Sequence, residues 1–200
     1  MDSDVRLLAG LDEAGRGPLA GPVSAGCVIL PPGFPVEILS DSKRLSEKKR
    51  LAAEKIIKES ACWAVALVDH EEIDRINILR ASLKAMSIAY NEMLEKLPAW
   101  CAGLGIEYGG ESVIQAIADG NQVPDITCAV RAEVKADGTY PCVMAASILA
   151  KTERDRIMLE FDRLYPQYGY AWHKGYPTPL HKKICRELGP SPIQRLTFKY

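Results

Sequence analysis

Asp12 and Glu13 stand side by side where an apolar run ends. Gly15, Arg16 and Gly17 follow, before Pro18 and a second apolar run. Carboxylates bind hard cations and handle protons. Glycines admit positive φ and the close approach of a ligand, and an arginine carries a planar fork of donors that matches phosphate. These residue types suit a metal and a phosphate; the competing reading is a plain hairpin with solvated charges. Two further acids occupy similar positions, Asp119 before Gly120 and Asp137 before Gly138, each following a short apolar stretch. If those stretches are neighbouring strands, four carboxylates converge, and at close range they raise one another's pKa. A hard divalent cation removes that conflict, since Mg²⁺ takes oxygen ligands and combines a few carboxylates with substrate phosphate oxygens. No His or Cys joins the group, which argues against zinc. Two such ions about 4 Å apart activate a water and stabilise the leaving oxygen of a phosphodiester. Neighbours on a strand face opposite ways. Asp12 and Glu13 therefore serve one site only if the chain bends, or if one acts through its main chain or a water.

The elements that must position these acids follow from periodicity. Residues 7–12 and 23–30 read as strands joined by the glycine turn, and 62–68 (CWAVALV) as a third. Ser46 suits the N-cap of a helix that buries Leu51, Ile56 and Ile57. Asp69 or His70 caps a short helix. Asn77 starts a long one, with Leu79, Leu83, Met86, Tyr90 and Leu94 in a core stripe, and Pro98 ends it. Residues 99–110, with four glycines, read as loop, and strands follow at 113–118 and 126–134. Ala145, Ala146, Ile148, Leu149 and Ile157 mark a helix over 143–164 that Pro166 stops, and a short helix spans 180–188. Strands alternate with helices after the first three, so the expected fold is α/β, a sheet flanked by helices on both faces. Function in such folds collects at strand ends.

At 200 residues the chain can fill one core and carry a small appended lobe. A hydrophobic content of 48% and a net charge of -1 are ordinary for a globular protein, so any polyanion must be met by locally gathered basic residues. Two stretches gather them. Residues 41–50 hold five Lys or Arg against two acids, and 173–200 hold six against Glu187 alone. The six cysteines form no CxxC pair and read as buried free thiols of a reducing compartment. The N-terminal residues lack a secretory pattern and no apolar run reaches membrane-spanning length, so a cytoplasmic chain without a membrane role is expected.

Several stretches together resemble the type 2 ribonucleases H, specifically the bacterial ribonuclease HII family. They are LDEAGRGPLAGPV at 11–23, DSKRLSEKKR at 41–50, EIDRINIL at 72–79, ADGN at 118–121, AASILAKTERD at 145–155, PQYGYAWHKGYPT at 166–178 and RLTF at 195–198. The resemblance covers nearly the whole chain in order. It implies an RNase H-like fold: a mixed five-stranded sheet flanked by helices, one catalytic domain over 1–200, with 165–200 forming a small helical substrate-binding lobe. It implies cleavage of RNA in RNA/DNA hybrids, and cleavage 5′ to a single ribonucleotide in duplex DNA, with Mg²⁺ or Mn²⁺. Asp12, Glu13, Asp119 and Asp137 match the catalytic, metal-holding acids. The family usually has Gly before the last of them, where this chain has Ala136; Asp125 and Asp155 are the competing acids there. Gly15, Arg16 and Gly17 match a loop that senses the ribose 2′-OH largely through main-chain groups. Tyr176 matches a tyrosine stacked on the neighbouring deoxyribose.

Lys43, Lys174 and Lys182 are candidates for phosphate contacts. Ser147 and Lys151, one helical turn apart, either bind a phosphate or are simply helix surface. Tyr165, Tyr168, Tyr170 and Trp172 either stack on nucleic acid or pack. The expected partners are RNA/DNA hybrid and ribonucleotide-containing duplex. No protein partner is evident, since QRLTFKY has the wrong spacing for a clamp-binding motif, and a monomer is expected. Two other readings stand beside this one. A metal-dependent phosphatase or nuclease of different substrate fits the acids, but the basic C-terminal stretch and Tyr176 favour a polymeric nucleic acid. An inactive hybrid-binding module would gain nothing from four carboxylates facing phosphate.

Overall fold

A computed structural model describes residues 6–39 and 46–199 of the chain. The order of elements is β1 (Leu7–Ala14), β2 (Val23–Ile29), α1 (Glu47–Ser60), β3 (Cys62–Val68), α2 (His70–Ile76), α3 (Ile78–Gly103), β4 (Ile114–Asp119), β5 (Ala129–Glu133), α4 (Pro141–Leu164), α5 (Tyr170–His173) and α6 (Pro179–Leu188). The five strands form one mixed sheet in the order β3-β2-β1-β4-β5. β1, β2 and β3 run antiparallel as a meander, and β4 and β5 lie parallel to β1 on its other side. The expected α/β sandwich is therefore present.

Alternation along β1 sends Leu7, Ala9 and Leu11 to one face, where they meet Ala85, Ala89, Met93 and Leu97 of α3. Gly10 and Asp12 face the other way, toward α4. A Cβ at Gly10 would lie 2.2 Å from the Cys142 carbonyl carbon, and one at Gly26 of β2 2.5 Å from the Ala146 oxygen, so only glycine lets the α4 backbone seat directly on the sheet. Val28, Ile57, Ile148 and Leu149 fill the space where α1 packs beside α4.

Local capping fixes the starts of the helices. Ser46 Oγ accepts from Lys49 N at 3.4 Å, Asp69 from Glu72 N at 2.8 Å and Asn77 from Arg80 N at 3.1 Å. α3 departs from expectation by running through Pro98 to Gly103, so part of the 99–110 stretch is helix. A proline removes one backbone bond. The last turn offsets that loss by burying Leu97 and Cys101 and by docking Trp100, whose indole donates to the Ser60 carbonyl at 2.9 Å. The strand expected over 126–134 is shorter, Ala129–Glu133. All six cysteines are buried free thiols. No helix among the described residues is long and apolar enough to cross a membrane.

After α4 the chain builds a further, smaller apolar cluster. Tyr168, Tyr170 and Ile193 pack with Ala20 and Met158. This cluster sits against the 15–22 loop, and Leu19 N donates to the Gly175 carbonyl at 2.8 Å.

Candidate active site

β1 and β4 pair in parallel with Leu11 beside Ala118, which places the next residues, Asp12 and Asp119, side by side at the carboxyl ends of both strands. Asp119 in turn shapes the exit of β5. Its Oδ1 accepts the Ala136 N–H at 2.7 Å, and Gly120 N donates to the Glu133 carbonyl at 3.1 Å. Lys135 takes the left-handed conformation, φ 63°, and the following single helical turn delivers Asp137. Ala136 is buried among Ile117, Cys142 and Val143, which fixes that turn against the start of α4. Carboxylate oxygens of Asp12, Asp119 and Asp137 all lie within 4.8 Å of one another.

Asp12 is buried, and its Oδ1 accepts the Glu13 N–H at 2.7 Å. Burial, and then the charge of Glu13, push its carboxyl well above the usual range; the Ser147 hydroxyl opposes this and Asp119 adds to it. Glu13 lies outside the close trio. Its Oε1 accepts from Arg16 Nη1 at 3.2 Å, and burial raises its pKa while Arg16 works against the rise. The strand alternation explains the division, since β1 is still extended at this point and its side chains diverge. An all-oxygen set of close carboxylates, Asp12 and Asp137 buried and Asp119 half-buried, fits a hard divalent cation of the Mg²⁺ or Mn²⁺ kind. Asp12, Asp119 and Asp137 are the residues placed to hold it, with Glu13 alongside.

A cleft of about 360 Å³ adjoins the acids, lined by Glu13, Gly15, Gly17, Arg50, Lys151 and Tyr176. Its floor is the 15–22 loop, held from below by two buried arginines. Arg195, 0% exposed, donates to the carbonyls of Gly15 (2.7 Å), Pro18 (2.9 Å), Gly21 (2.9 Å), Pro22 (3.0 Å) and Arg16 (3.2 Å). Arg154, 1% exposed, donates to Pro22 (2.9 Å), Ala20 (3.1 Å) and, from the other side, Lys174 (2.9 Å). In a trans peptide the N–H opposes the C=O. With the carbonyls of Gly15 and Arg16 turned down to Arg195, the N–H groups of Arg16 and Gly17 face away from it. Neither is spent on a protein acceptor among the described residues. Tyr176 stands over the same loop, its ring 3.8 Å from where a Gly17 Cβ would be. Arg195 itself is steered into place by Asp74 of α2, which accepts from Leu196 N at 2.7 Å and from Thr197 N at 3.0 Å.

The structure separates the remaining sequence candidates. Ser147 faces Asp12, whereas the Lys151 amine is paired with Asp155. Asp155, also held by Arg50 at 3.7 Å, is thereby accounted for away from the acid trio. The Lys174 amine folds back onto the Ala171 carbonyl, and Lys182 is half-buried on α6. Lys43 lies outside the described residues. Tyr168 and Tyr170 are core, while Trp172 is 85% exposed. Arg154, Arg195 and Asp74 had no assigned role from sequence. The signal for Arg154 was present: Ala150, Arg154 and Met158 share one helical stripe at four-residue spacing, and all three are buried. No periodicity marks Arg195, which follows the helices in irregular chain.

Comparison with known proteins places this geometry among characterised families. The family described as Ribonuclease HII matches residues 9–200. A protein named Ribonuclease HII from Treponema denticola is 48% identical over 198 residues, covering 96% of this chain and 98% of that one. The crystal structure of ribonuclease H2 from Pyrococcus horikoshii superposes with a TM-score of 0.71 at 26% identity, covering 96% of this chain and 94% of that one. Bst-RNase HIII, solved in complex with Mn²⁺, shares the fold with a TM-score of 0.72 at 18% identity, over 97% of this chain and 67% of that one.

Proposed function

Because the chain belongs to the ribonuclease HII family, and is by that membership a ribonuclease H, we propose that it cuts the RNA strand of RNA/DNA hybrids and also cuts 5′ to a single ribonucleotide in duplex DNA, leaving 5′-phosphate and 3′-hydroxyl ends. The observation that carries this reading is the acid trio of Asp12, Asp119 and Asp137 closed on one another, next in sequence to the cleft lined by Glu13 and Gly15–Gly17. In it, Asp12, Asp119 and Asp137, with Glu13 beside them, hold Mg²⁺ or Mn²⁺. Bound divalent ions supply activation of the attacking water and stabilisation of the leaving oxygen. The outward N–H groups of Arg16 and Gly17 donate to the ribose 2′-OH, the group that distinguishes RNA from DNA. Tyr176, exposed above the loop, lies against the next sugar, where a second 2′-OH would crowd it. Residues 165–200 act as a substrate-binding lobe that carries Tyr176 and a basic surface toward the duplex. Lys182 and the basic stretch of residues 41–50 add affinity through phosphate without sequence information, so binding weakens steeply with salt.

The test is an end-labelled DNA duplex with one internal ribonucleotide, incubated with Mg²⁺, Mn²⁺ or chelator beside an all-DNA control. One metal-dependent cut on the 5′ side of the ribonucleotide supports the reading. Cutting of long hybrids alone retains the nuclease but removes the roles given to Gly15–Gly17 and Tyr176. Cutting of neither substrate with any metal would overturn it.

A further inference from the structure

Arg154 is buried in α4 with no carboxylate within ion-pair distance of its guanidinium among the described residues. A buried charge left so is costly, and here its hydrogen bonds all go to backbone carbonyls. Those carbonyls come from two different segments. Nε and Nη2 serve Pro22 and Ala20 of the glycine loop, while Nη1 serves Lys174, two residues before Tyr176. The same guanidinium lies 5.8 Å from the Tyr176 ring centre, a cation–π distance. The two segments also interlock at atomic contact around it. Gly15, at φ +101°, has room for no side chain, since a Cβ would sit 2.2 Å from Arg154 Nε. A Cβ at Gly175 would sit 2.7 Å from the Ala20 carbonyl oxygen. Lys174 adopts φ 49° to present its carbonyl to Arg154. Arg195 serves the glycine loop from beneath, but it reaches no carbonyl of the 174–176 segment.

We propose that Arg154 is a specificity-determining positioning residue: it sets the register between the loop that reads the ribose and the ring that reads the following sugar. The proposal rests on the recognition roles given above to the Gly15–Gly17 loop and Tyr176. Arg154 touches no substrate. A lysine at this position keeps the charge but cannot span two segments with a planar fork.

The experiment compares wild type, Arg154→Lys, Arg154→Gln, Tyr176→Ala and the Arg154→Lys/Tyr176→Ala pair. Each is assayed for kcat and KM on single-ribonucleotide duplex and on long hybrid, and each is followed by amide hydrogen exchange. Both Arg154 variants should lower kcat on the single-ribonucleotide substrate at least about tenfold more than on hybrid, the size expected when a positioning contact is lost. The pair should be no more selective against that substrate than the more severe of its two single variants, because both changes break one device. Exchange should rise together over residues 15–22 and 171–178, while β1 and β3 stay protected. Equal losses on both substrates, multiplying effects in the pair, or exchange rising in one segment only would each overturn the proposal. Loss of sheet protection in both Arg154 variants would also overturn it, by making Arg154 a residue of global stability. If wild type cut neither substrate, the functional reading would fail, and the exchange data alone would still decide whether Arg154 couples the two segments.

Discussion

Asp12 and Glu13 are defined by what their neighbours do to their charge. Asp12 is the most enclosed, and burial together with Glu13 and Asp119 disfavours its ionised form in the absence of a cation. A bound cation would offset that penalty. Asp12→Asn should reduce cleavage by at least about a hundredfold while hybrid binding, measured by gel shift, persists. A variant that still cuts normally contradicts the assignment of the site. Tyr176 predicts a different pattern, because the role proposed for it is on a sugar rather than on the reacting phosphate. Tyr176→Ala should weaken cutting at a single ribonucleotide several-fold more than cutting within long RNA tracts. Equal losses in a paired kinetic assay would remove its junction-sensing role. Glu13 shows how finely residue types divide labour. Adjacent in sequence to Asp12, it turns to Arg16 and stays outside the close trio.

Among the elements, α4 decides the geometry of the site. It starts just after the Asp137 turn, carries Ser147 toward Asp12, and farther along sets Arg154 and Met158 under the glycine loop. Its seat depends on Gly10 and Gly26. Gly10→Ala would press a methyl into the Cys142 and Val143 backbone at 2.2–2.3 Å, displacing the first turn of α4 and the Asp137 turn with it. The expected cost is about 1–3 kcal/mol, a melting temperature lower by several degrees, and a loss of activity beyond what instability explains. Thermal melts paired with kcat at a temperature where the variant is fully folded check this. α3 makes the complementary point. Pro98 stands inside it because a buried last turn outweighs one missing hydrogen bond, and local propensity carries no information about that burial.

For the whole molecule, the sheet and the C-terminal cluster are joined at the 15–22 loop, and the join contains two stacked imidazoles. His173 and His181 lie 4.2 Å apart, both buried. Gly175 N donates to His173 Nδ1 at 3.1 Å, and His181 Nδ1 pairs with the Tyr176 carbonyl at 3.0 Å, so both rings brace the Tyr176 segment. Burial, and then His181, push the His173 pKa down to about 4, and burial lowers that of His181. The unfolded chain binds a proton at His173 near pH 6.5, whereas the folded chain does not until near pH 4. The contribution of His173 to stability is therefore full above about pH 6.5 and is lost as pH falls toward 4, worth up to roughly 3 kcal/mol. NMR titration of the imidazole resonances measures it directly, and a His173 that protonates near pH 6.5 in the folded chain contradicts it. The sequence by itself determined the alternation of strands and helices, the caps at Ser46 and Asn77 and one at Asp69 or His70, and the acids at strand ends, because each is written in short-range pattern and residue type. The mixed five-stranded sheet, the role of 165–200 and the ligand roles came with the family resemblance of motifs spread along the whole chain. Only the tertiary structure decided which three carboxylates close on one another, since that depends on the parallel register of β1 and β4 and on the direction of side chains at a strand end. Only it placed Arg154 and Arg195, because two cations whose partners are backbone carbonyls far along the chain leave no charge pattern in the sequence.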